Sequence, residues 1–222
     1  MRRTRERTPG WMEEHADESS RRGAAPPGPR AQNCDVDDRS LRIAVLLAAH
    51  VIFLSAGALR IIRGQRGHLF RSHDGWWLQY YPPLVWVPFV IAYFFPFPID
   101  LPIPVRLVGL AVAIASAVFA AWAMWSLGKS YGIRMDLFEG HRLVTSGPYH
   151  LTRHPMYLGI VSFHVGATVA MESLALLVVT LVYVIPFTAL RIRAEDSVLA
   201  AGFGDEFRTF AGSVPAFVPF TR

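Results

Sequence analysis

Two short stretches of this chain carry side chains that can do chemistry. The first runs from Gly140 to Gly159 and reads Gly-His-Arg-Leu-Val-Thr-Ser-Gly-Pro-Tyr-His-Leu-Thr-Arg-His-Pro-Met-Tyr-Leu-Gly. It is a polar, turn-rich loop that passes directly into an apolar run. Gly147-Pro148 is a turn signal. Pro155 suits the first turn of a helix, where its missing N–H costs nothing. Arg153 and His154 then sit at a helix N-terminus, whose free N–H groups and partial positive charge can seat a carboxylate or phosphate. The same pair would equally serve to anchor the helix among lipid headgroups. The second stretch is Arg191 to Leu199, in which Arg191 and Glu195 share one helical face and Asp196 follows. If the apolar run between the two stretches folds as a hairpin, Glu195 and Asp196 come within reach of the Arg153-His154 corner. A charged cluster where a helical bundle opens to water marks a functional site, with an ordinary solvated helix end as the alternative.

Together these stretches resemble the isoprenylcysteine carboxyl methyltransferase family, which groups with phospholipid N-methyltransferases and bacterial relatives. The resemblance lies in Leu143 to Gly159, in the acidic pair Glu195-Asp196, in Phe203-Gly204-Asp205-Glu206-Phe207-Arg208-Thr209-Phe210, and in Val214 to Pro219. It covers about residues 105–220. It implies a membrane-embedded enzyme that uses S-adenosylmethionine and acts on a lipophilic acceptor, with the cofactor held by the loop before the fourth span, the start of that helix and the C-terminal tail. By position, His141, Leu143, Val144, Gly147, Tyr149, His154 and Tyr157 would line the cofactor. Glu195 and Asp196 would hold its amino or ribose groups or polarise the substrate, and Arg153 and Arg191 are candidates for binding a carboxylate. The chain departs from the family in carrying Glu-Asp for a glutamate pair, Phe207 and Phe210 for tyrosines, and Ser213 and Ala216 where arginines are frequent.

The elements that would position these residues are apolar helices. Hydrophobic residues make up 52% of the 222 and charged residues only 18%, below the roughly 25% of soluble domains. Residues 1–40 are polar, so the rest is more apolar still. That leader mixes arginines with acidic residues and a Gly/Ala/Pro run, a composition expected to stay disordered. It lacks the apolar core of a signal peptide. Spans are expected at about 41–62, 77–97 and 105–127. Pro88 should kink the second, and Trp76, Trp77, Tyr80, Tyr81 and Phe97 should form its interfacial belt. Glu172-Ser173 divides the remaining apolar run into two pieces, hence a tight hairpin. The expected fold is an all-α integral membrane protein of about five spans with a C-terminal hairpin. Its divisions are a leader at 1–40, two helices at 41–104 and a catalytic core at 105–222.

Arginines in the loop after the first span place that loop, the 128–154 connection and the tail on the cytoplasmic side, with the cofactor pocket facing it. The Arg/Ala/Pro-rich composition suggests a bacterial inner membrane. The net charge of +5 is scattered at helix ends and forms no basic stripe for nucleic acid. The lone Cys34 excludes an internal disulfide, and no spacing supports a metal site. His50 and His164, mid-span, are expected to hydrogen-bond between helices. No obligate protein partner is expected. Methyl transfer is an in-line displacement in which the protein supplies alignment and water exclusion. The acceptor could be a carboxylate, an amine or a thiol. Two rivals stand: an NADPH-dependent membrane reductase of the sterol type, which shares an Arg-His-x-x-Tyr corner, and a non-catalytic relative.

Overall fold

The computed structural model describes residues 29–63, 69–71, 81–95, 97–130, 137–138 and 140–217. The chain divides into two units, Met1–Leu41 and Arg42–Arg222, and the second holds both chemical stretches. Its elements are almost all helical: α1 (Pro29–Arg63, which begins in the first unit), α2 (Tyr81–Leu84), α3 (Val87–Phe94), α4 (Ile103–Leu127), α5 (Pro155–Met171), α6 (Leu174–Phe203) and α7 (Asp205–Ser213). A two-stranded antiparallel ribbon joins β1 (Leu69–Arg71) to β2 (Leu137–Phe138).

Among the described residues, three helices carry segments long and apolar enough to cross a membrane: Arg42–Leu59 of α1, α4 and α6. α5 is apolar but has 17 residues, about 26 Å at 1.5 Å per residue, a little short of a ~30 Å hydrocarbon core. The protein is an integral membrane protein of helical fold. The apolar span of α1 falls within the expected 41–62, but its helix begins at Pro29, inside the leader expected to be disordered, because extending a formed helix adds a hydrogen bond for each residue fixed. Residues 1–28 of the expected leader lie outside the described residues, as do 72–80, where the expected second span begins. The described part of that span is two short helices rather than one kinked one. Pro88 in the first turn of α3 has no N–H to continue α2, and the chain turns through Val85 and Trp86. Tyr81 is no belt residue. It is 1% exposed, its hydroxyl 2.9 Å from Val184 O and 2.6 Å from Thr188 Oγ1.

α5 and α6 form the expected hairpin. Glu172 adopts the left-handed conformation (φ 53°) that ends α5, and the Ser173 hydroxyl caps α6 by accepting from the Leu176 N–H at 3.1 Å. The Glu172 carboxylate ties three elements together. Oε1 accepts from the Leu101 N–H at 3.0 Å, and Oε2 lies 3.1 Å from both Arg42 Nη1 and Arg106 Nη1. α6 widens into a π turn at Thr180–Val184, just before Pro186, whose missing N–H leaves an ordinary helical bond unmade there.

The most extensive helix packing is between α4 and α5. It needs residues without side chains. A Cβ on Gly159 would lie 2.6 Å from the Ala120 Cβ and 3.0 Å from the Ser116 carbonyl, and one on Gly166 would lie 2.6 Å from the Ala113 nitrogen. This close approach is how helices associate where lipid removes the hydrophobic drive. His164 joins α5 to the turn before α3, with Nε2 3.0 Å from Val85 O. His50 does not bridge helices as expected. Its Nδ1 lies 2.7 Å from Leu46 O one turn back, and its ring packs edge-on against Trp86, Phe89 and Phe163.

Candidate cofactor cleft at the start of α5

At the end of the hairpin opposite Glu172, the loop before α5 is drawn into a 3-10 turn at Gly147–His150. The Leu151 and Thr152 N–H groups fold back on Pro148 O at 3.1 and 3.3 Å. Gly147 sits at φ +63°, a conformation that favours glycine, and a Cβ there would meet Ser126 Oγ at 3.2 Å. It therefore seats the loop on the end of α4. The next residues are delivered to the α5 N-terminus with Tyr149 and His154 buried.

There Arg153, His154 and Asp196 lock together. Arg153 Nη2 donates to Asp196 Oδ2 at 2.9 Å, and His154 Nε2 lies 2.7 Å from Oδ1. Arg153 also reaches the tail. Its Nη1 donates to Ala211 O at 3.0 Å and Val214 O at 2.7 Å, and its backbone N–H donates to Pro215 O at 2.9 Å. The Thr152 hydroxyl lies 3.0 Å from Ala216 O and 2.8 Å from Phe217 O. One turn inward, Arg191 is buried and its Nε donates to the Tyr157 hydroxyl at 3.0 Å.

Around this corner lies an open cleft. His141, Leu143, Val144, Tyr149, Arg153, His154, Tyr157 and Glu195 line it. Gly147, Asp196 and Arg191 stand behind the wall: Gly147 shapes the loop, Asp196 holds Arg153 and His154, and Arg191 holds Tyr157. Both arginines that the sequence offers for a carboxylate are thus engaged within the protein. Arg142, which the sequence motifs do not single out, lies exposed on the wall. Glu195, whose carboxylate lies beside the Tyr157 hydroxyl, contributes an Oε2 that is buried and has no hydrogen-bond partner. Burial lowers the His141 imidazole below its usual range, which keeps it neutral at pH 7.

The remaining wall is apolar apart from Ser130 and comes from Leu127, Leu137, Met156, Val198, Leu199, Phe203 and Phe210. Phe203 and Phe210 belong to the tail pattern, and their aromatic spacing is a signal for apolar wall. Leu137 gives no such signal. It comes from the two-residue strand β2, which lies so close to α6 that a Cβ on Gly202 would overlap the Leu137 side chain. Among the described residues, no three His, Cys, Asp or Glu side chains gather as a metal site would require.

Residues 107–201 match the model of the isoprenylcysteine carboxyl methyltransferase (ICMT) family. Protein-S-isoprenylcysteine O-methyltransferase A of Arabidopsis thaliana is 35% identical over 116 residues, 51% of this chain and 59% of that protein. The cobalt-zinc-cadmium resistance protein CzcN of Cupriavidus metallidurans is 42% identical over 82 residues, 36% of this chain and 37% of its own length. A solved eukaryotic intramembrane Ras methyltransferase, ICMT, superposes with a TM-score of 0.48 at 26% identity, covering 68% of this chain and 55% of that one. The chain thus spans somewhat more than half the length of the plant relatives it matches. Residues 107–201, which hold every polar residue of the cleft wall from His141 to Glu195, are thus similar to the isoprenylcysteine carboxyl methyltransferase family.

Proposed function

We propose that the cleft binds S-adenosylmethionine and that the protein transfers the cofactor's methyl group to a lipophilic acceptor at the membrane surface. The observation that carries this reading is Glu195. Its buried, unpartnered Oε2 is costly unless a ligand supplies a donor, and the cofactor offers an ammonium and ribose hydroxyls. The rings of Tyr149, Tyr157, Phe203 and Phe210 supply flat apolar surface for an adenine. When bound, the cofactor supplies an electrophilic methyl on a sulfonium. The chain's own task is then to align and dry the site. His154, fixed by Asp196, and Tyr157, fixed by Arg191, are the rigid polar wall. Arg142 faces the mouth, where it would orient an anionic acceptor or the cofactor's carboxylate.

Relatives named for isoprenylcysteine O-methylation favour a carboxylate on an isoprenoid-bearing acceptor over an amine or thiol. The same reading puts five helical segments across a bacterial inner membrane, α2 and α3 counting as one, with the cleft on the cytoplasmic side. Purified full-length protein, titrated separately with S-adenosylmethionine and NADPH and then supplied with labelled cofactor and a lipid extract, tests it. S-adenosylmethionine should bind and label should enter the lipid fraction. NADPH binding with no response to S-adenosylmethionine would overturn the proposal.

A further inference from the structure

The geometry points to Arg153 as a positioning residue that sets cofactor affinity by clasping the C-terminal tail against the cleft, and not as a ligand of the acceptor's carboxylate. This inference rests on the methyltransferase reading for its link to cofactor affinity, but the clasp itself can be tested apart from it.

Arg153 is placed where the sequence suggests an anion seat, yet three of its five guanidinium donors and its backbone N–H are engaged by the protein. Nη2 goes to Asp196, Nη1 to the carbonyls of Ala211 and Val214, and the backbone N–H to Pro215 O. Nε is buried without a partner, and Nη2 carries a second N–H beyond the one given to Asp196. The guanidinium also lies 5.9 Å from the Phe207 ring centroid, a cation–π contact with the buried face of α7. Thr152, next to it, adds a hydroxyl directed at Ala216 O and Phe217 O. Carbonyls of the tail from the last turn of α7 to Phe217 are therefore held by two adjacent residues at the start of α5.

The consequence reaches the cleft through α7. That helix has nine residues, too short to hold itself in water, and it presents Phe207 inward and Phe210 onto the cleft wall. A planar fork matches two carbonyls and a carboxylate at once, whereas an ammonium cannot span them. Asp196 completes the clasp by fixing the guanidinium on its other side. Loss of the clasp would let Phe210 leave the wall and admit water beside Glu195, raising the cofactor's KM and leaving the acceptor's contacts alone.

The test uses full-length Arg153→Lys and Thr152→Val in detergent or nanodiscs. Hydrogen exchange over residues 205–217 reads the clasp directly, and separate KM values for S-adenosylmethionine and for the acceptor read its consequence. Faster exchange of the tail is expected in both variants. In Arg153→Lys the cofactor KM should rise about tenfold or more, the worth of a charge-assisted hydrogen bond, while the acceptor KM stays within about twofold. An acceptor KM that rises alone, with the tail still protected, would assign Arg153 to the carboxylate and overturn the clasp. Tail exchange unchanged in both variants would overturn it as well. If the unaltered protein binds no S-adenosylmethionine, the methyltransferase reading fails, and the exchange measurement still decides whether Arg153 holds the tail.

Discussion

The two ends of the α5–α6 hairpin each carry a carboxylate held by basic side chains, and they differ in what the neighbouring carboxylate oxygens lack. At the turn, both Glu172 oxygens have partners, supplied by Leu101, Arg42 and Arg106. At the other end, Asp196 is equally engaged by Arg153 and His154, but Glu195 one residue before it keeps a buried oxygen without a partner beside an open cleft. A charged cluster in a membrane protein is thus no site in itself. The carboxylate at the turn has donors on both oxygens, whereas at the opposite end the Glu195 carboxylate keeps one oxygen without a partner.

The largest effect should come from breaking the seam that joins the two ends. Gly159→Leu would drive a side chain into Ala120 and the Ser116 backbone, an overpacking cost of about 3 kcal/mol or more. Size-exclusion chromatography should show loss of folded protein, with turn and cleft failing together. Glu195→Gln should separate the ends. Cofactor affinity and methyl transfer are expected to fall about 30-fold or more through the lost charge, with the melting midpoint nearly unchanged. Glu172→Gln should do the reverse, lowering stability by about 1–2 kcal/mol, since solvent screens ion pairs at a bundle edge, while activity per folded molecule is kept.

Acidity should act on the turn in the same sense. Burial by itself would raise the Glu172 carboxyl, but the Leu101 N–H and the Arg106 and Arg42 guanidiniums outweigh it and hold the group below its ordinary 4.5. A lowered folded-state value means that its stabilisation is complete above the ordinary value and is lost as pH falls through the lowered one. Melting midpoints taken from pH 6 downward should therefore drop more steeply for the unaltered protein than for Glu172→Gln. The smallest effect is expected from His141→Ala at the cleft wall, about threefold to tenfold in the cofactor's KM for one neutral hydrogen bond.

The hairpin is legible in the sequence because a charge inside a long apolar run must lie at a turn, and Glu172-Ser173 supplies both the charge and a helix cap. The approach of Asp196 to Arg153 and His154 follows from that hairpin and from the four-residue spacing of Arg191 and Glu195. Other features leave no trace in residue type. The ties from Thr152 and Arg153 to the tail end on backbone carbonyls, which every residue carries. The ribbon that brings Leu137 to the cleft is too short for an alternating pattern. Tyr81 reads as an interfacial aromatic, and only its position against α6 shows that Val184 and Thr188 take its hydroxyl into the core.

Calorimetric titration of S-adenosylhomocysteine, the demethylated cofactor, into the unaltered protein, Glu195→Gln and Glu172→Gln tests the contrast between the two ends most directly. Binding should be retained by the unaltered protein and by Glu172→Gln, and lost or strongly weakened in Glu195→Gln. Equal weakening in both variants, or no binding by the unaltered protein, would contradict the assignment of the open end as the cofactor site.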